Sequence, residues 1–128
     1  MTAMNDKILL IEDNEQNRYL ATFLLEKSGY SVVPACNGAT GIELGSSFRP
    51  KGILLDIQLP GLDGYEVARA LRRNPSLNDV PIIAVTSYAM AGDREKAMAA
   101  GCDGYIEKPI DPETFVSEIE KFFLRGRP

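Results

Sequence analysis

Acidic, hydroxyl and basic side chains occur at four places in this sequence, each just after a short apolar run. Glu12 and Asp13 follow the first run, Asp56 the third, Thr86 the fourth, and Lys108 comes just after the fifth. These side chains could carry out phosphoryl transfer, because a carboxylate can attack phosphorus while a cation and a hydroxyl stabilise the phosphoryl oxygens. Such chemistry requires a fold that brings the separate places together.

The apolar runs have the length of β-strands, and longer amphipathic segments separate them. The runs are Ile8–Ile11, Ser31–Ala35, Ile53–Leu55, Ile82–Val85 and Gly104–Ile106. The central runs are apolar throughout, which indicates strands that are covered on both faces. Strand–helix alternation of this kind predicts an α/β fold with a doubly wound, five-stranded parallel sheet, because right-handed crossovers place helices on both sides.

Apolar spacing and capping residues locate the helices between these strands. The core-facing positions are Leu20, Phe23 and Leu24 in the first helix, Val67, Ala68 and Leu71 in the third, and Phe115, Ile119, Phe122 and Phe123 in the last. Asp111 is expected to cap the last helix before Pro112, and Gly29 and Gly101 to end the first and fourth helices. The second helix is predicted near Gly38–Ser47, and Pro34 favours an edge strand.

The carboxyl ends of parallel strands share one edge of a sheet, where open α/β sheets bind ligands. Three carboxylates at this edge would repel one another by about 4 kcal/mol per close pair. Mg²⁺ would relieve the repulsion, with Asp13 and Asp56 as its direct carboxylate ligands. Asp13 alone would more often be a helix cap than a ligand, but polar residues at four strand ends together indicate a site that includes Thr86 and Lys108.

Bulk composition excludes several other classes of protein. The 128 residues are 45% hydrophobic with net charge −4, which predicts one domain over 1–128, its core at about 6–124, with no attraction to nucleic acid. No signal peptide or membrane segment is recognisable, so we expect a cytoplasmic protein. The absence of histidine excludes Ser/His and Cys/His catalysis, and the two cysteines lack the spacing of a zinc site or a disulfide framework.

Several short motifs resemble the receiver domain of two-component response regulators over essentially the whole chain. The matching residues are Glu12-Asp13-Asn14, Asp56 followed by Leu59-Pro60-Gly61 and Gly64, then Thr86 and Lys108-Pro109. The opening from Ile11 to Asn17, with no effector domain present, also resembles stand-alone, DivK-like receivers of bacteria. The resemblance implies strand order 2-1-3-4-5, as in flavodoxin- and CheY-like (βα)5 folds. It implies a signalling domain that assists its own phosphotransfer and dephosphorylation, rather than an enzyme proper.

The resemblance also assigns roles around a metal ion. Asp56 would accept the phosphoryl group from a histidine kinase or histidine phosphotransfer protein, with Mg²⁺ as cofactor and Mn²⁺ as a substitute. Asp13 and Asp56 would bind the metal directly, Glu12 through water, and Gln58 through its backbone carbonyl rather than its side chain. Lys108 would contact the phosphoryl group.

A conformational switch is the last implication of the resemblance. Thr86 and Tyr105 would form a coupled pair that changes the face of helix 4, strand 5 and helix 5 for a downstream protein partner, although Tyr105 could equally be a packed core aromatic.

The Lys108–Pro109 peptide bond would be cis. The protein would be a monomer or weak dimer without membrane contact. Ser87 stands where the family often has alanine.

Three alternative functions make different demands on the same residues. A haloacid-dehalogenase-type phosphatase would need a second aspartate at the position of Gln58. A flavodoxin-like electron carrier would need hydroxyl and glycine residues where Glu12, Asp13 and Asn14 would repel a phosphate. A pseudo-receiver that only binds partners and is never phosphorylated would not need the acidic pair, Asp56 or Lys108.

Overall fold

The apolar runs form five strands, and each is followed by a helix. The computed structural model describes residues 6–87 and 90–125. The strands are β1 (Lys7–Ile11), β2 (Ser31–Ala35), β3 (Gly52–Asp56), β4 (Ile82–Thr86) and β5 (Gly104–Glu107). The helices are α1 (Glu15–Lys27), α2 (Gly38–Ser47), α3 (Gly64–Arg72), α4 (Asp93–Ala99) and α5 (Phe115–Arg125), with a 3₁₀ turn at Pro75–Leu77. Within the described ranges, no helix combines the length and apolarity that a bilayer crossing requires.

All paired strands are parallel, and their order is β2-β1-β3-β4-β5. This confirms the predicted doubly wound α/β fold. Every residue of β3 and β4 is buried, as expected of apolar strands covered on both faces. Pro34 lies on β2, at one edge of the sheet, so its missing N–H does not interrupt the pairing between two inner strands.

The core consists of two apolar layers, one on each face of the sheet. Alternate side chains of β1 enter opposite layers, so Ile8 and Leu10 pack with α1 and α5, while Leu9 and Ile11 pack with α2, α3 and α4. The two layers fix the strands relative to one another, and therefore fix the edge at which β1, β3 and β4 end.

Two local predictions were wrong. Phe23 was expected in the core, but 52% of it is exposed. Helix α1 instead buries the face of Ala21, Leu24 and Leu25, which is rotated by about 100° about the helix axis from the predicted face. The last helix begins at Phe115 rather than Pro112. A tight turn precedes that helix, and the Asp111 carboxylate accepts the Glu113 N–H at 2.9 Å within the turn.

The other helix-boundary predictions are confirmed. Helix α2 spans the predicted residues, and Val67, Ala68 and Leu71 of α3 are buried. Gly29 and Gly101 follow α1 and α4 with φ values of 98° and 110°, a left-handed conformation that glycine adopts without a steric penalty.

Candidate functional site

The carboxyl ends of β1 and β3 lie side by side, because Ile11 of β1 is in register with Leu55 of β3. Glu12 and Asp13 directly follow β1, and Asp56 is the last residue of β3. Glu12 and Asp56 are each only 4% exposed, whereas Asp13 is exposed. The sheet therefore brings together three carboxylates that are up to 44 positions apart in the sequence.

A lysine ammonium group lies between the two buried carboxylates. Lys108 Nζ is 2.8 Å from Glu12 Oε1 and 3.3 Å from Asp56 Oδ2, and its side chain is only 9% exposed. The Lys108 N–H also donates to the carbonyl oxygen of Thr86 at 2.7 Å, which anchors the segment after β5 to the end of β4. The ion pairs are thus held in place by backbone as well as by charge.

The Lys108 charge alone does not balance the carboxylates of Glu12, Asp13 and Asp56. Burial, followed by the neighbouring Asp56 carboxylate, raises the pKa of Glu12 to about 7, although Lys108 acts in the opposite direction. The Asn14 N–H donates to Glu12 Oε2 at 3.2 Å and offsets only part of the burial cost. The site accordingly favours the addition of positive charge, as a proton or as a cation.

The positions of the carboxylate oxygens suit a divalent metal ion. One oxygen each from Glu12, Asp13 and Asp56 lie within 4.8 Å of one another, and these hard donors match the oxygen preference of Mg²⁺. Asp13 does not serve as the helix cap, because the Asn14 side chain caps α1 by accepting the Asn17 N–H at 2.9 Å. Arg18 donates to the carbonyl oxygens of Glu12 and Asp13, at 2.9 and 3.3 Å, and so fixes the backbone there.

The loop after Asp56 is held close to the strand by a glycine. A Cβ atom on Gly64 would lie 2.5 Å from the Ile57 Cα, closer than side-chain atoms are found to approach backbone. The Gly64 N–H donates to the Ile57 carbonyl oxygen at 3.2 Å, which closes the loop of residues 57–64. Glycine is therefore needed here to seat α3 directly against the end of β3.

Gln58 contacts the site through its side chain as well as its backbone. Its backbone N–H donates to Asp56 Oδ1 at 2.9 Å. Its side-chain amide bonds to Thr86 Oγ1 and accepts the Ser87 N–H at 3.0 Å. The family resemblance implies a role for the Gln58 carbonyl alone, and the side-chain contacts depend on a rotamer that the sequence does not specify.

Tyr105 and Pro109 complete the predicted set. Tyr105 lies on β5, half-buried against the core layer that contains α3 and α4. Its hydroxyl is buried and has no hydrogen-bond partner within the described part of the chain. The Lys108–Pro109 peptide bond is cis. The structure therefore places Glu12, Asp13, Asp56 and Lys108 together, with Thr86 held to Gln58 beside them.

Comparison with known proteins agrees with this geometry. The family model of the response regulator receiver domain matches residues 8–120. The chain belongs to the receiver domain family of response regulators. Among curated receivers, the polar-differentiation response regulator DivK of Brucella anthropi is 40% identical over 119 residues, covering 93% of this chain and 97% of that protein.

Solved receiver domains share the fold. One, from a sensor histidine kinase of Pseudomonas aeruginosa, has a magnesium ion coordinated in its active-site cleft; it is 34% identical, with a TM-score of 0.82 and coverage of 95% of this chain and 97% of that one. A chemotaxis protein of Vibrio cholerae has a TM-score of 0.88, covering 92% of this chain and 98% of its own, but at 24% identity it supports the fold alone.

Proposed function

We propose that this receiver is a phosphorylation switch that accepts a phosphoryl group on Asp56 from a histidine kinase or histidine phosphotransfer protein. The observation that carries the proposal is the position of Lys108 Nζ, 2.8 Å from Glu12 and 3.3 Å from Asp56, within an acidic group that includes Asp13. Family membership supports the same function.

Asp56 would act as the nucleophile. One of its carboxylate oxygens would form a bond to phosphorus while the bond from phosphorus to the donor's histidine nitrogen breaks, and the freed imidazole would leave with its electron pair. Lys108 is close enough to exchange its contact with Asp56 for one with a phosphoryl oxygen. Catalysis of this kind is largely positioning and electrostatic stabilisation, both of which the buried ion pairs favour.

Asp13 and Asp56 would hold Mg²⁺ directly and Glu12 through water, and the backbone carbonyl of Gln58 would contribute a further oxygen. Mn²⁺ could substitute for Mg²⁺. The fit rests on the carboxylate oxygens that lie within 4.8 Å of one another and on the excess negative charge around a single lysine. A bound dication would supply charge neutralisation for the phosphoryl oxygens. The magnesium-bound receiver from Pseudomonas aeruginosa supports this assignment.

The output would be a change in partner binding through the face formed by α4, β5 and α5. A phosphoryl group on Asp56 would attract the Thr86 hydroxyl at the end of β4, and movement there would alter the packing of Tyr105 on the adjacent β5. Only the difference in phosphoryl affinity between the two arrangements can shift the population. The downstream partner would recognise the phosphorylated arrangement of this face.

Mass spectrometry after incubation with acetyl phosphate and Mg²⁺ tests the proposal. We expect one added phosphoryl mass in the wild type and none in Asp56→Asn, because the amide cannot act as the nucleophile. Asp79→Asn is the matched control, since Asp79 is an exposed surface aspartate paired with Arg49. An unchanged wild-type mass would favour a pseudo-receiver, and phosphorylation of Asp56→Asn would place the acceptor elsewhere.

A further inference from the structure

The side chain of Gln58 forms a bridge between two strand ends. Gln58 lies in the loop after β3, and its amide reaches the end of β4, where it contacts the Thr86 hydroxyl and the Ser87 backbone N–H. We call this pair of hydrogen bonds the Gln58 clasp. Thr86 is only 2% exposed, so one end of the clasp is shielded from water.

Hydrogen-bonding chemistry fixes the orientation of the Gln58 amide. The Ser87 N–H can only donate, so the atom that faces it at 3.0 Å must be the carbonyl oxygen Oε1. The amide nitrogen Nε2 then faces Thr86 Oγ1 and donates to it. A flipped amide would set two donors against each other at Ser87, so the clasp has one satisfied arrangement.

The clasp lies beside the phosphoacceptor. The backbone N–H of Gln58 donates to Asp56 Oδ1 at 2.9 Å, so Gln58 is directly attached to the acceptor carboxylate. Asp56 is in register with Val85, which places Thr86 and Ser87 next along the neighbouring strand. The clasp therefore joins the loop that carries the acceptor to the segment that would respond to phosphorylation.

We infer that the Gln58 clasp is a brake on switching, in which Gln58 Oε1 occupies the Ser87 N–H that a phosphoryl group on Asp56 would otherwise attract. Gln58 Nε2 donates to the Thr86 hydroxyl oxygen and ties it to the loop, while that hydroxyl keeps its own hydrogen to donate. The inference rests on the proposed function. The Ser87 N–H has one hydrogen, so it cannot donate a full hydrogen bond to Gln58 Oε1 and to a phosphoryl oxygen at the same time. A charged phosphoryl oxygen is a stronger acceptor than the Gln58 amide, so phosphorylation can break the clasp. The free energy needed to break it reduces the shift of the population toward the phosphorylated arrangement.

The first test measures the clasp in unphosphorylated protein. Gln58→Met keeps the side-chain length and the backbone carbonyl but removes both amide bonds. We expect the Ser87 amide to exchange its hydrogen about fivefold faster in this variant, as loss of one ordinary hydrogen bond predicts. Gln16→Met makes the same chemical change at an exposed position of α1 and should leave Ser87 unchanged. Unchanged Ser87 exchange in Gln58→Met would overturn the clasp.

The second test measures the braking effect with beryllium trifluoride, a phosphoryl mimic, in the presence of Mg²⁺. We expect Gln58→Met to bind the mimic about fivefold more tightly than wild type, since the Ser87 N–H no longer has to be released from one ordinary hydrogen bond. Gln58→Ala should show the same direction, which separates loss of the clasp from any packing effect of methionine.

The outcomes distinguish this inference from the proposed function. Faster Ser87 exchange with unchanged or weaker mimic binding in both Gln58 variants would overturn the braking role while leaving phosphorylation of Asp56 intact. A wild-type protein that neither binds the mimic nor accepts phosphate from acetyl phosphate would contradict the proposed function, and the braking role with it.

Discussion

Two tyrosine hydroxyls in this protein have opposite surroundings. The Tyr105 hydroxyl is buried and has no partner within residues 6–87 and 90–125, whereas the Tyr30 hydroxyl donates to Glu120 Oε2 at 2.6 Å. A buried hydroxyl without a partner costs about 1–3 kcal/mol, while a hydrogen bond to a carboxylate is stabilising. The same substitution by phenylalanine should therefore have opposite effects at the two positions.

We expect Tyr105→Phe to leave the free energy of unfolding unchanged or raise it by up to about 1 kcal/mol, because an unsatisfied group is removed. Tyr30→Phe should lower the free energy of unfolding by about 1 kcal/mol, because the bond between the turn after α1 and α5 is lost. Urea denaturation of both variants at neutral pH measures the contrast. A loss of stability in Tyr105→Phe as large as that in Tyr30→Phe would show that the Tyr105 hydroxyl has a partner.

The Tyr30 bond also predicts a pH dependence. Burial, together with the Glu120 carboxylate, raises the pKa of Tyr30 from 10.0 to about 12. The folded protein favours the neutral phenol of Tyr30. The stabilisation that Tyr30 gives is therefore fully present below about pH 10 and is lost as the pH rises through 12. The stability difference between wild type and Tyr30→Phe should therefore narrow above pH 10.

The elements were largely predictable from sequence, since apolar runs and amphipathic spacing determine which faces can be buried. The exceptions involve tertiary context. Leu20, Phe23 and Leu24 all fit one broad apolar stripe, and only packing against β1 and α5 decides that Phe23 faces solvent. Asp111-Pro112 has the composition of a helix start, but a turn comes first and the helix begins at Phe115.

Arg72, at the end of α3, joins several elements at the edge of the sheet opposite the acidic site. Its guanidinium group donates to the carbonyl oxygens of Gly101 and Leu77, at 2.8 and 2.7 Å, and to Asp103 Oδ2 at 2.6 Å. Asp103 Oδ2 also accepts the Ile82 N–H at 3.0 Å, at the start of β4. The pair is 12% and 18% exposed, so water screens it little.

Arg72→Lys should therefore lower the free energy of unfolding by about 2 kcal/mol, because lysine has the charge but not the planar fork that reaches three acceptors. Arg49→Lys is the matched control, since the Arg49–Asp79 pair is 59% and 77% exposed, and should change stability by less than about 0.5 kcal/mol. Denaturant titration measures both. Equal effects would mean that the Arg72 bonds contribute no more than a surface ion pair.

Considered over the whole chain, the candidate site was predictable where topology alone determines it. A parallel sheet necessarily brings the residues after β1, β3, β4 and β5 to one edge, so Glu12, Asp13, Asp56 and Lys108 could be grouped from sequence. The Gln58 clasp could not be predicted, because it depends on a rotamer and on the local course of two loops. Chain order specifies which residues meet, while packing specifies which atoms of those residues form bonds.

The unbalanced acidic site should make the stability of the whole domain depend on Mg²⁺. If Mg²⁺ binds only the folded state, a concentration ten times its dissociation constant raises the free energy of unfolding by about 1.4 kcal/mol. For a domain of this size, that corresponds to a rise of about 5 °C in the unfolding temperature. NaCl at matched ionic strength should give a smaller shift, because screening acts on exposed charges and reaches the buried Glu12 and Asp56 less.

Asp13→Asn separates metal binding from general charge effects. Without Mg²⁺ this variant should unfold at a slightly higher temperature than wild type, because one of three mutually repelling carboxylates is neutral. With Mg²⁺ its temperature shift should fall to less than half of the wild-type shift, because a charged ligand is lost. Asp79→Asn removes an equal charge far from the site and should keep the full shift. Thermal unfolding followed by circular dichroism measures all three proteins, and an undiminished Mg²⁺ shift in Asp13→Asn would exclude Asp13 as a ligand.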